Sequence, residues 1–219
     1  MLSKTSKLGC HSWSLQAWDT CPGARGDDGE AVDACKFCYA RRGNYVYSNV
    51  KAVRARNLED WKLDDWCDRM VDAIGEDPYF RWFDSGDCYH RELALKILEV
   101  MRRTPKTQHW FPTRMHKFDK FKDVLFDMSC LSNVVVRLSS DSVTGECLDT
   151  TMTSSVIVPY AKYPSSRPND TVECEAYTRE GKCGDCRACW SKNVKVIAYP
   201  YHGTSKAKVI KIVKSKTTV

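Results

Sequence analysis

The apolar positions of this chain fall into short blocks, and the period changes from block to block. From Asn44 onward, Leu58, Trp61, Leu63, Trp66, Met70, Val71 and Ile74 recur at helical spacing, with Gly75 placed to stop the run. Pro78 to Asp84 is a compact aromatic strand ending in Ser85-Gly86-Asp87. Leu93, Leu95, Ile97, Leu98 and Met101 mark a second helix closed by Thr104-Pro105. Gln108 to Arg114 reads as a strand and Phe118 to Met128 as a short helix. Asn133 to Ser139 is the clearest buried strand, bounded by Ser140-Asp141. Ser155 to Tyr160 and Val194 to Tyr199 are further strands, the last ending at His202-Gly203, and residues 10–16 form a first strand running into a loop at Cys21.

Strand and helix alternate at a spacing that predicts a parallel sheet with right-handed crossovers. About six strands are too few for an eight-stranded barrel, so the expected fold is α/β, a partial (β/α)6 TIM-like barrel with a C-terminal cysteine-rich segment. The expected division is a core over 1–160, a cysteine-bearing insertion over 161–192, and a last core strand with a basic tail over 193–219. Chemistry in such folds gathers where strands end. Cys21, Ser85-Gly86-Asp87, Thr113-Arg114, Ser139-Ser140-Asp141, Tyr160 and His202 all fall at such ends.

Composition adds a core large enough to fold and an unusual cysteine load. The 219 residues are 42% hydrophobic and 28% charged, which argues against disorder. No apolar run is long enough to cross a bilayer, and the N-terminal residues MLSKTSKLGCHSW lack the apolar stretch of a signal peptide. The expected compartment is the cytoplasm, where 12 cysteines point to metal or redox sites rather than disulfides. Five of them (Cys10, Cys67, Cys88, Cys130 and Cys147) are scattered and read as packing residues. Net charge is +6, and the five lysines between Lys206 and Lys216 read as a solubilised edge strand or tail, with nucleic-acid binding the sharper alternative.

The other seven cysteines form two groups. Cys21, Cys35 and Cys38 can hold three irons of a cubane cluster and leave the fourth open, or bind zinc with His11 or Cys10 completing the set. Cys183, Cys186 and Cys189 have the two-residue gaps of a ferredoxin run, with Cys174 as the remote fourth ligand. Gly181 and Gly184 permit tight turns there, Lys182, Arg187 and Lys192 would offset thiolate charge, and Trp190 and Tyr177 would shield the site. A four-cysteine zinc knuckle is the alternative at this second group.

Cys35-Lys36-Phe37-Cys38 after a first strand, with Ser85-Gly86-Asp87 ending the second, resembles the radical S-adenosylmethionine (SAM) superfamily. The resemblance runs from Cys10 to Gly203 and is to small phage-encoded members whose reactions are unassigned. The family spacing is CxxxCxxC, whereas the first gap here is much longer, and Asp87 stands where the family has Glu. The resemblance implies a [4Fe–4S] cluster on Cys21, Cys35 and Cys38 whose open iron chelates SAM, and a second [4Fe–4S] cluster on Cys174, Cys183, Cys186 and Cys189. It implies Phe37 near the adenine, Tyr39 among the cofactor-binding residues, Ser85, Gly86 and Asp87 at the methionine amino group, Ser139 or Asp141 at the ribose, and Arg114 at the carboxylate. It also implies reductive cleavage of SAM, with electrons from a flavodoxin or ferredoxin, acting on an unknown substrate. The alternative from a different class is a metal-stapled binding protein, with nucleic acid as the partner.

Overall fold

One sheet of eight strands organises the chain in the computed structural model, which describes residues 1–148, 150–202 and 206–217. The strands are β1 (Ser3–Lys4), β2 (His11–Trp13), β3 (Tyr79–Trp82), β4 (Gln108–Thr113), β5 (Val134–Ser139), β6 (Ser154–Val158), β7 (Thr171–Glu173) and β8 (Val196–Pro200). Their order across the sheet is β1-β2-β3-β4-β5-β6-β8-β7. Only β1 runs antiparallel to its neighbour. The six expected strands are β2, β3, β4, β5, β6 and β8, and they lie side by side in chain order. The short edge strands β1 and β7 carry too few apolar residues to announce themselves in the sequence. The sheet does not close on itself, because β1 and β7 are its edges.

The helices are α1 (Asp33–Lys36), α2 (Ser48–Asp60), α3 (Trp66–Ile74), α4 (Arg91–Arg103), α5 (Lys122–Cys130) and α6 (Lys206–Thr217). The long helix expected up to Ile74 is broken into α2 and α3 by a turn at Trp61 to Asp65. The break lets Trp61 and Trp66 both face inward, at 3% and 0% exposure, which one straight helix with these residues five apart would not do. The lysine-rich tail forms the helix α6 rather than an edge strand. Val209 and Val213, four apart, seat one side of it against Val143 and Phe37. Gly203, where the last strand was expected to stop, lies outside the described residues. No helix among the described residues is long and apolar enough to cross a membrane.

The two faces of the sheet differ. Cross-strand register aligns Trp13 with Trp82, and Phe80 with His109 and Val134. These side chains meet α3, α4 and α5 in the main core, with Met70, Leu93, Ile97, Leu125 and Met128. The opposite face carries Arg81, Trp110 and Val135 in one register row. There the covering layer is the second cysteine segment: Trp190 stacks edge-on against Trp110 and Tyr79 and donates from its indole nitrogen to the Phe80 carbonyl at 3.0 Å.

Candidate metal centres

The first cysteine loop lies across the C-terminal ends of the strands because its backbone is tied to several of them. After β2, the Leu15 N–H donates to the Ser85 carbonyl and the Ser85 hydroxyl donates back to the Leu15 carbonyl at 2.7 Å. The Asp87 N–H donates to the Thr20 carbonyl at 3.1 Å. Gly86 sits at φ +76°, and a Cβ there would come within 2.7 Å of the Thr20 hydroxyl and 2.8 Å of the Leu15 Cβ, so the site requires glycine. Gly23 approaches the Arg114 backbone so closely that a Cβ would lie 2.7 Å from its carbonyl oxygen. The Ala34 N–H donates to the Asp141 carbonyl at 2.9 Å, which fixes α1 beyond β5.

This scaffold draws Cys21, Cys35 and Cys38 together. Burial pushes the Cys21 thiol up to about 12, and Asp87, Cys35 and Cys38 add to the rise by their proximity. Burial also raises Cys35, with Arg114 opposing it and Cys38, Asp141 and Asp87 reinforcing it. All three are free thiols. Neither residue expected to complete a zinc site stands beside these three. His11 Nδ1 pairs with Asp77 at the opposite, N-terminal end of the sheet. Cys10 packs with Cys183 and Cys189 instead.

The residues expected to meet the cofactor are close by, and most already have protein partners. Asp87 accepts from the Thr113 hydroxyl and the Cys88 N–H at 2.7 Å each and from the Arg114 N–H at 2.9 Å. Burial raises its carboxyl, and these donors restrain the rise. The Arg114 guanidinium lies 3.2 Å from Asp141, which Lys117 also holds at 2.7 Å, and it donates to the Ser140 carbonyl. The Ser139 hydroxyl faces that of Ser155 at 3.4 Å. Phe37 turns toward α6, with the Lys208 ammonium 6.0 Å from its ring centre and the Tyr201 hydroxyl on its carbonyl. Tyr39 donates to the Asp84 carbonyl at 2.8 Å and keeps an exposed ring.

The second group is assembled from three places. The Cys174 N–H donates to the Ala198 carbonyl of β8, the Cys183 N–H to the Lys7 carbonyl, and Cys189 Sγ lies 3.3 Å from the Tyr199 hydroxyl. Burial raises the Cys183 thiol, with Cys174 and Cys186 adding to it. Burial raises Cys189 as well, with Tyr199 and Arg137 opposing and Cys174 reinforcing. Cys174 is therefore near both. Trp190 is buried as expected, Tyr177 is exposed, and Lys192 turns away to donate to the Ser129 and Leu131 carbonyls at the end of α5. Among the described residues no three His, Cys, Asp or Glu side chains are gathered so as to hold a single metal ion. A cubane cluster spreads its thiolates over separate irons, so its ligands stand further apart than those of one ion.

The model of the Gene product 88 family matches residues 2–192 of the chain. The chain belongs to that family. No curated protein and no solved structure matches it. The match of this Gene product 88 chain covers both cysteine groups and stops before β8 and α6.

Two arginines in this Gene product 88 protein escaped sequence reasoning. Arg137, fully buried in β5, donates to the carbonyls of Cys189 (3.0 Å), Ala188 (2.9 Å), Ser191 (2.8 Å), Val194 (2.9 Å) and Ser154 (3.4 Å). Arg81, on β3, pairs with Asp84 at 2.8 Å and lies over the Trp110 ring at 4.5 Å, between the two cysteine groups. The signal was available: each is a lone charge inside an apolar strand, Val-Val-Val-Arg-Leu and Tyr-Phe-Arg-Trp-Phe.

Proposed function

We propose that the protein is a radical SAM-type enzyme with two iron–sulfur clusters. The observation that carries the proposal is the convergence of the Cys21, Cys35 and Cys38 thiols, with Asp87 and Arg114 beside them, at the C-terminal ends of parallel strands. The side-by-side order of β2, β3, β4, β5, β6 and β8, with α3, α4 and α5 on one face, supports a partial (β/α)6 barrel. The donor set fits the cluster in kind. The three free thiols are near enough to act on one another's ionisation, and His11 and Cys10 are engaged elsewhere, so neither of those two would ligate a fourth iron there. The second set, carried mainly by the insertion 161–192, brings four thiols and a Tyr199 hydroxyl that hydrogen-bonds one of them.

A [4Fe–4S] cluster held by Cys21, Cys35 and Cys38 would supply the electron for reductive cleavage of SAM, acting on a substrate of unassigned identity. The chain's own part is positioning. Asp87 Oδ2 keeps an acceptor lone pair beyond its bond from the Arg114 N–H, available to the methionine ammonium. Arg114 neutralises Asp141 and lowers the cost of ionising Cys35. The Ser139 and Ser155 hydroxyls offer contacts for the ribose. An electron donor such as a flavodoxin or ferredoxin would act from outside.

The test is anaerobic reconstitution followed by dithionite and SAM, with 5′-deoxyadenosine measured by chromatography. Its formation, and its loss on Cys35→Ala, is the expected result. An intact cluster that yields none overturns the catalytic claim.

A further inference from the structure

The basic tail was the expected nucleic-acid feature, yet the more suitable surface lies elsewhere. Between Ala34 and Leu58 there is no acidic residue, while Lys36, Arg41, Arg42, Lys51, Arg54 and Arg56 all fall there. Lys36 is neutralised by Asp33. Arg41, Lys51 and Arg56 are exposed and form no ion pair among the described residues. Aromatic rings are interleaved with these charges. Tyr39 is 54% exposed and Tyr47 58% exposed, with Tyr45 edge-on to Tyr39 at 5.3 Å.

A cavity of about 340 Å³ opens beside this segment, between β1 and α2, lined among others by Lys4, Asn49, Arg54 and Asn57. Arg54 is 6% exposed and has no carboxylate within ion-pairing distance among the described residues, and its Nε is buried without a partner. Asn57 spends its amide N–H groups on the Met1 and Ser14 carbonyls, which leaves Oδ1 as an unpaired buried acceptor. The Arg54 guanidinium donates to the Tyr45 carbonyl at 3.2 Å and lies 4.9 Å from that residue's ring centre, with Asp84 near enough to favour its charge; its unpartnered Nε beside the empty Asn57 acceptor suits a phosphodiester with an adjacent hydroxyl or amine.

We propose that residues 39–56, together with the cavity at Lys4 and Arg54, bind single-stranded nucleic acid. Exposed rings on a basic surface let successive bases stack while cations follow the backbone. An acidic protein would use the charges and leave the rings idle. The surface begins at Tyr39, next to Cys38, so a bound strand runs past the first cysteine group. The inference stands on this surface and does not depend on whether a cluster is present.

The test is fluorescence anisotropy of a labelled oligothymidine about 20 nucleotides long, titrated with the full chain over a range of salt. Tyr47→Ala should weaken binding about tenfold through lost stacking. Lys51→Gln with Arg56→Gln should reduce the salt slope by about 1.4, that is about 0.7 for each lost phosphate contact. Lys208→Gln with Lys211→Gln in α6 should do neither. All of these positions are exposed, so circular dichroism should show unchanged folding. No binding at low salt overturns the proposal. So does binding that only the α6 variant weakens, or binding that polyglutamate displaces equally well and Tyr47→Ala leaves unchanged.

Discussion

The two cysteine groups are held in opposite ways. The first hangs from a distributed web: bonds from Ser85, Asp87, Arg114 and Asp141 reach the ends of three strands, and Gly86 and Gly23 let the backbones touch. In the second, one side chain carries most of the bonds to the stretch around Cys189, while Cys174 and Cys183 are tied separately to the Ala198 and Lys7 carbonyls. Arg137 crosses the open face of the sheet and gathers the carbonyls of the segment that carries Cys189. A distributed web gives way gradually when one bond is lost. Losing a buried anchor of this kind costs more at one stroke, because its removal leaves several carbonyls buried without donors.

The largest expected effect follows from that contrast. Arg137→Met should cost about 3–5 kcal/mol, since each orphaned carbonyl costs about 1 kcal/mol or more. It should also strip the second site of metal while the first keeps its own. Thermal unfolding and iron analysis on the same sample would check both parts, and loss from the first site would remove the distinction. Gly86→Ala should come next, at about 2–3 kcal/mol, because it combines a positive φ with collisions at Thr20 and Leu15. Here the first site should suffer and the second should not.

The smallest effect tests the helix-covered face, which neither group touches. His109 is fully buried, accepts from the Trp82 indole at 3.3 Å and lies 2.9 Å from the Thr104 hydroxyl, and burial lowers it to about 3. An unfolded histidine near 6.5 takes up a proton that the folded one refuses. Little stability is lost on this account above about pH 7, below about pH 6 the loss approaches about 1.4 kcal/mol per pH unit, and between about pH 6.5 and 5 it comes to about 1.6 kcal/mol. The slope of melting temperature between about pH 6.5 and 5 should flatten in His109→Asn.

The framework was largely legible in the sequence because β3, β4, β5, β6 and β8 announce themselves by apolar runs between turn residues. Of the candidate site, the sequence shows only the spacings of Cys35 and Cys38 and of Cys183, Cys186 and Cys189, which single these thiols out as candidate ligands. What escaped depends on contacts distant in sequence. Nothing local shows that Lys192 caps α5 or that Cys10 joins the second group rather than the first. The helix α6 was misread because a lysine–valine alternation serves a strand as well as a helix, and the partners of Val209 and Val213 lie at Val143 and Phe37. Cys130 was expected in the interior and is exposed at the end of α5, while Cys88 is buried as expected.

The most direct test counts iron and acid-labile sulfide per chain in protein purified without oxygen. Three forms are compared: the wild type, a triple alanine variant at Cys21, Cys35 and Cys38, and a quadruple variant at Cys174, Cys183, Cys186 and Cys189. Two independent [4Fe–4S] clusters predict about eight irons in the first and about four in each of the others, with sulfide in equal number. Zinc without sulfide, or a triple variant that keeps all its iron, would contradict the account.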